Sequence, residues 1–116
     1  MDEKIEKAFG VANYMLTLSN QRRVILEEFD QKLFYYTNGA TFKITPNLIV
    51  FAKTTLDLGH ASDVPFIDSN NFPVVVADVQ QFIDEIVDIY FSALNDYTAK
   101  YVEIKSKRKI ADIIDL

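Results

Sequence analysis

The chain has 116 residues, 49% of them hydrophobic, and it carries 12 Lys and Arg against 17 Asp and Glu, for a net charge of −5. This length predicts one domain, and nine Phe with six Tyr can fill a core, so disorder is not expected. The single His and the lack of Cys exclude disulfides, cysteine nucleophiles and thiolate or multi-histidine metal sites. The three isolated Gly leave no phosphate-binding glycine-rich loop.

The start of the chain, Met1-Asp2-Glu3-Lys4, differs from the basic and then apolar start of a signal peptide. The longest uninterrupted apolar run covers residues 48–52, far fewer than the ~18 residues that span a bilayer. We therefore expect a cytoplasmic protein without membrane segments.

A long helix is predicted for residues 3–36. This stretch contains no Pro, and its apolar residues recur at alternating intervals of three and four. Asn38-Gly39 supplies a stop signal, because Gly accepts the left-handed conformation that ends helices. In a competing interpretation, residues 34–37 form a strand and Asn38-Gly39 is a tight hairpin turn. The helix is the favoured of the two.

Shorter elements follow in the middle of the chain. Residues 40–44 alternate as a short strand does, and Thr45-Pro46 is a typical N-cap followed by a first helical residue. The apolar residues from 48 to 56 share one helical face, and Gly59 lies just after the end. The β-branched residues in 48–55 keep a strand open as the alternative.

A hairpin is predicted for residues 64–76. The two β-type runs, 64–67 and 72–76, are separated by four turn-forming residues, 68–71. Pro65 and Pro73 lack an N–H donor and must take edge or bulge positions, so the sheet is small.

The strongest element is a helix over residues 79–107, which contains neither Gly nor Pro and starts after Asp78 as N-cap. Its apolar arc covers about 220°, which is wider than the stripe that packs on one neighbour, so we expect it to be covered on two sides. The seam consists of Val79, Ile83, Ile86, Tyr90, Leu94, Tyr97, Tyr101 and Ile104.

Together these elements predict a helix-dominated α+β fold, in which two long helices flank a short helix and a small antiparallel hairpin sheet. Residues 1–107 form the predicted domain, and residues 108–116 form a basic-to-apolar C-terminal tail. The two helices would be roughly 50 Å and 42 Å long. Helices of that length pair into an extended hairpin, project and bury their apolar faces against other copies, or break and wrap one compact core. The wide apolar arc of the last helix favours the second of these interpretations, so a homo-oligomer is expected.

Charge is divided unevenly along the chain. Residues 54–99 contain eight Asp or Glu and no Lys or Arg, whereas residues 100–109 contain five Lys or Arg and one Glu. The basic run consists of Lys105, Lys107, Arg108 and Lys109. It complements the dipole of a helix C-terminus, binds phosphates of a nucleic acid, or contacts the acidic body of a neighbouring copy.

The C-terminal tail carries four apolar residues with the spacing of a short groove-binding helix: Ile110, Ile113, Ile114 and Leu116. The tail either binds a protein partner or folds back on its own domain, and the sequence does not favour one of these interpretations over the other. The tail also resembles the short acidic-apolar C-terminal peptides by which many replication and transcription factors dock onto sliding clamps.

Other polar groups predict structure rather than chemistry. Asp84, Glu85 and Asp88 lie on the polar face of the last helix, where carboxylates stay solvated. Asp68-Ser69-Asn70 begins like a calcium loop but lacks the required Gly and the twelfth-position Glu. His60 could act as a general base or a ligand, but the sequence contains no recognisable nucleophile for it to activate. We therefore predict no catalytic, cofactor or metal site.

Several short segments, spread over most of the chain, carry a family resemblance. They are 46–49, 57–59, 67–68 and 73–74, with Tyr90, Tyr97, Tyr101, Lys107 and Arg108. In these segments the chain resembles small proteins of unassigned function encoded by tailed marine phages such as cyanophages. The resemblance implies a viral protein of the host cytoplasm or the virion, and an assembly component or adaptor rather than a metabolic enzyme.

The leading hypothesis is thus a non-enzymatic protein that acts through protein–protein contacts, as a self-associating subunit or an adaptor. One alternative is a nucleic-acid-binding accessory protein that uses residues 105–109. Another is an acidic mimic that occupies the basic groove of a host nucleic-acid enzyme through the surface of residues 57–96.

Overall fold

The computed structural model describes residues 2–113, with side chains through Lys107. The fold is α+β and helix-dominated, with long helices on either side of a short one, as the sequence predicts. Residues 2–113 contain two hairpin sheets rather than one small sheet. In chain order the elements are α1 (Glu3–Lys32), β1 (Phe34–Thr37), β2 (Ala40–Lys43), α2 (Pro46–Asp57), β3 (Ser62–Ile67), β4 (Pro73–Asp78) and α3 (Val79–Ile113).

The predicted extension of the first helix to residue 36 is wrong. The helix ends at Lys32, and residues 34–37 form β1, which pairs antiparallel with β2. Asn38 and Gly39 both have positive φ, 49° and 77°, as a two-residue turn with the twist of a hairpin requires. Three consecutive aromatic residues before this turn favour an extended chain over a helix.

The other predicted boundaries are close to those observed. Thr45 caps α2, because its hydroxyl oxygen accepts the backbone N–H of Leu48 at 3.1 Å. Asp78 does the same for α3, where its Oδ1 accepts the backbone N–H of Gln81 at 3.1 Å. β3 begins two residues earlier than predicted, and β4 begins one residue later and ends two residues later. The last helix, α3, continues to Ile113.

The chain divides into two compact units, one made of residues 1–30 and 95–116 and the other of residues 31–94. The first is called the helical unit here, and the second the α/β unit. In the helical unit, Leu18 and Ile25 of α1 pack with Ile104 of α3, and Met15, Tyr97 and Tyr101 lie against this cluster.

The α/β unit has an aromatic core. The ring centroid of Phe82 in α3 lies 5.2 Å from that of Phe42 in β2, 5.2 Å from that of Phe66 in β3 and 5.7 Å from that of Tyr35 in β1. One α3 side chain therefore joins both hairpins. The turn after β3 is also tied to β2, since the backbone N–H and hydroxyl of Ser69 donate to the Thr41 carbonyl.

Candidate interaction surfaces

The predicted basic run lies only partly within the described side chains. Lys105 and Lys107 are exposed, and Lys107 Nζ lies 3.4 Å from Glu103 Oε1, one turn earlier on α3. The side chains of Arg108, Lys109, Ile110 and Ile113 lie outside the described residues, as do Ile114 and Leu116 altogether. The binding roles of the run and the tail stay predictions.

The two tyrosines next to the basic run are occupied by contacts within the helical unit. The ring centroids of Tyr97 and Tyr101 lie 6.3 Å apart, and that of Tyr97 lies 5.1 Å from that of Phe29. The Arg22 guanidinium carbon lies 5.7 Å from the Tyr101 ring centroid. These rings stabilise the packing of α1 on α3. They are therefore not available to stack on the bases of a nucleic acid bound at residues 105–109.

The nearby Lys100 forms ion pairs in the same unit. Its Nζ lies 3.0 Å from Glu28 Oε2 and 3.1 Å from Asp96 Oδ2. The hydrogen bond that Lys100 donates to Glu28, followed by the one it donates to Asp96, raises the pKa of Lys100 above its usual 10.5. This cation is therefore engaged within the protein.

The carboxylates of α3 also make local contacts. Asp84 accepts a hydrogen bond from the Gln80 side chain at 2.8 Å, and Glu85 accepts one from Gln81 at 3.2 Å. Glu85 also accepts a hydrogen bond from the Tyr35 hydroxyl of β1. Among the described residues, no three His, Cys, Asp or Glu side chains are grouped in a way that could hold a metal ion.

Asp68 is 6% exposed and shapes the turn between β3 and β4. Its Oδ1 accepts the backbone N–H groups of Asn70 and Phe72, each at 2.9 Å. The side chain of His60 is exposed, and its backbone N–H donates to the Thr55 carbonyl after the end of α2. Both residues thus have structural contacts at the ends of elements.

An open groove of about 370 Å³ lies in the helical unit and was not predicted. Its lining includes the apolar residues Val24, Ile25 and Ile104 and the cationic residues Lys100 and Lys107. Its walls come from residues 17–25 of α1 and residues 100–107 of α3, two segments that are far apart in the chain. Sequence periodicity identifies each apolar face but not the gap between two faces.

The outer face of the β3–β4 hairpin is apolar as well as the inner one. Phe66 and Val76 point inward and are 2% and 8% exposed. On the outer face, Ile67 is 62% and Val75 57% exposed. Their partners across the ladder are also apolar, because Ile67 faces Pro73 and Pro65 faces Val75. This surface was not predicted, although the stretch 73–77, which consists of Pro73 and four apolar residues, was its signal.

No family model, curated protein or solved structure is significantly similar to this chain. None of the helices within residues 2–113 combines the length and the apolar character that a bilayer crossing requires.

Proposed function

We propose that this chain is a non-enzymatic protein that acts through protein–protein contacts, as a self-associating assembly subunit or an adaptor of a phage. The observation that carries the proposal is the apolar outer face of the β3–β4 hairpin. An antiparallel hairpin with one face on a core usually presents polar residues to water on the other face. Contiguous apolar side chains on that second face are typical of a contact surface.

The ladder makes this surface continuous. Ile67 and Pro73 stand directly opposite each other, as do Pro65 and Val75, and such pairs have their Cβ atoms ~5 Å apart. Phe72, 65% exposed, extends the patch into the turn. The two prolines lack N–H donors and oppose the addition of a further strand at an edge, so a partner would cover the face instead.

A matched pair of variants tests the proposal. Val75→Asp places a charge in the outer face, and Val50→Asp places the same charge on α2, where Val50 is 63% exposed. We expect Val75→Asp to weaken self-association measured by light scattering, or capture of a partner by the tagged full chain, and Val50→Asp to leave both unchanged. Neither variant buries a charge, so both should keep the wild-type circular dichroism spectrum.

The adaptor form of the proposal also involves the tail. Deletion of residues 110–116 should leave folding intact and abolish partner capture if Ile110, Ile113, Ile114 and Leu116 are the docking anchors. A wild-type chain that stays monomeric at high micromolar concentration and captures no partner would contradict both forms.

A further inference from the structure

We propose that α1 pairs with α1 of a second copy of this chain, in antiparallel orientation, through a stripe formed by Ile5, Phe9, Ala12 and Leu16. This inference rests on the proposed self-association and names a surface for it in the helical unit. The stripe is distinct from the β3–β4 face, which lies in the other unit.

The part of α1 that ends at Leu18 has two apolar faces. One contains Leu18, which is 3% exposed and packs with Ile104. The other is the stripe, in which Ile5 is 46%, Phe9 57% and Leu16 61% exposed, and Ala12 is exposed as well. At ~100° per residue the two faces lie about 140° apart around the helix. Since α3 covers the first face, the same helix cannot cover the second.

The spacing of the stripe is that of a helix pair. Its members follow one another at intervals of four, three and four residues, which is the alternation of a and d positions in a coiled coil. Ala12 is small and Phe9 is large, so the stripe is uneven along its length. An interface with a second helix must match large positions with small ones.

An antiparallel pair provides that match. With its two-fold axis between Gly10 and Val11, Phe9 faces Ala12 of the second copy, and Ile5 faces its Leu16. All four layers are then apolar, and each Phe9 ring meets a methyl group. In a parallel pair, Phe9 would face Phe9 and Ala12 would face Ala12, which leaves one crowded layer and one gap.

Charge favours the same orientation. The first turn of α1 is acidic at Glu3 and Glu6 and is preceded by Asp2. In the antiparallel pair this end lies about one helical turn from Arg23 of the second copy, within reach of its long side chain. Arg23 pairs with Glu27 at 3.4 Å on an exposed surface, a contact that contributes little. A parallel pair would instead place Arg23 of one copy beside Arg23 of the other in the dimer interface.

Leu16→Glu and Val24→Glu test the surface. Both residues are exposed on α1, at 61% and 43%, but Val24 lies outside the stripe. Leu16→Glu removes two buried leucines per dimer, so we expect its dimer Kd, measured by sedimentation equilibrium, to rise about 100-fold or more. Val24→Glu should keep the wild-type Kd. An unchanged Kd for Leu16→Glu would overturn the inference.

Cysteine cross-linking tests the orientation without changing the stripe, and the chain has no native Cys. In the antiparallel register, position 2 faces position 19 of the second copy. A mixture of Asp2→Cys and Ser19→Cys chains should therefore form mixed disulfides, because only those pairs bring the Cα atoms within ~7 Å. Disulfides within each variant alone, and no disulfides between the two variants in the mixture, would overturn the antiparallel arrangement.

A size exchange adds a second readout. Phe9→Ala leaves a gap and Ala12→Phe crowds the layer, so each should raise the dimer Kd about tenfold or more. The double variant Phe9→Ala/Ala12→Phe restores a large residue opposite a small one and should recover most of the affinity. A double variant as weak as both single changes together would count against the pairing.

These outcomes separate this inference from the proposed function. If Val75→Asp abolishes assembly and Leu16→Glu does not, the stripe is not the interface, and the proposed function stands. If the wild type is monomeric but captures a partner, the second copy is excluded, and the adaptor form stands.

Discussion

Lys100 of α3 and Glu28 of α1 are joined by an ion pair, with 3.0 Å between Nζ and Oε2. Asp96 lies 3.1 Å from the same Nζ, so one cation links two carboxylates on two helices of the helical unit. Both hydrogen bonds raise the pKa of Lys100, with Glu28 as the larger cause. The pair therefore connects the packing of α1 on α3 to the alkaline pH dependence of stability.

We expect the stabilisation from Lys100 to be lost at alkaline pH. Because the folded-state pKa is raised, the contribution is complete below the ordinary value of 10.5 and falls as the pH rises through the folded-state pKa. Lys100→Met should thus lower the free energy of unfolding at neutral pH, and its difference from the wild type should shrink above pH 10.5. Urea unfolding at a series of pH values measures this.

The control for Lys100→Met is Lys53→Met. Lys53 lies 3.2 Å from Asp57 within α2, in an exposed pair one turn apart. Its removal should have a smaller effect, because such pairs contribute ~0.3–0.5 kcal/mol. Added salt should reduce the Lys100 effect, since the pair is partly solvated. If the difference in the free energy of unfolding between the wild type and Lys100→Met stays the same at alkaline pH, the pH dependence does not come from Lys100.

Phe82→Ala should be among the most destabilising single changes in the α/β unit. Phe82 is 3% exposed and contacts the rings of Tyr35, Phe42 and Phe66. Loss of such a ring costs ~3–5 kcal/mol, because the cavity cannot collapse fully between two hairpins and a helix.

Phe91→Ala on the same helix is the matched control for Phe82→Ala. Phe91 is 51% exposed, so its truncation should cost less than ~1 kcal/mol. Urea unfolding followed by tyrosine fluorescence compares the two variants. An equal loss in the free energy of unfolding in both variants would mean that Phe82 does not join the hairpins as described.

The boundaries of the fold were predictable where a cap or a turn residue marks them. Thr45 before Pro46, and Asp78 before α3, accept the backbone N–H groups that their positions predict. The end of α1 was mispredicted because Phe34-Tyr35-Tyr36 continues the helical apolar spacing. In the structure, the Tyr35 ring of the strand packs on Phe82, which is 47 residues away in the chain.

The candidate surfaces were less predictable than the elements. Sequence periodicity identified the apolar face of α1 that contains Leu18, but it did not single out the second, exposed stripe at Phe9 and Leu16. Which apolar residues of α1 are covered depends on where α3 packs, which is a tertiary fact. The outer face at Ile67 and Val75 was missed for the same reason, because a strand with two apolar faces reads as a buried strand.

Thr45→Ala should destabilise the α/β unit by about 1 kcal/mol. The hydroxyl of Thr45 accepts the Leu48 N–H at the start of α2, and the variant leaves that donor without its side-chain partner. Thr54→Ala is the control, since Thr54 is exposed in the last turns of the same helix and Ala is a better helix former. We expect the control to be neutral or stabilising in thermal unfolding. A stable Thr45→Ala variant would show that the cap contributes nothing to α2.

Gly39→Ala and Gly10→Ala should change stability in opposite directions. A Cβ at either position would meet no atom within 4 Å, so only the backbone distinguishes them. Gly39 has φ of 77° in the β1–β2 turn, and an L-residue there costs ~1–2 kcal/mol. Gly10 lies inside α1, where Ala is favoured over Gly by ~1 kcal/mol. Chemical denaturation of both variants measures the signs, and a stabilising Gly39→Ala would contradict the left-handed turn that ends β1.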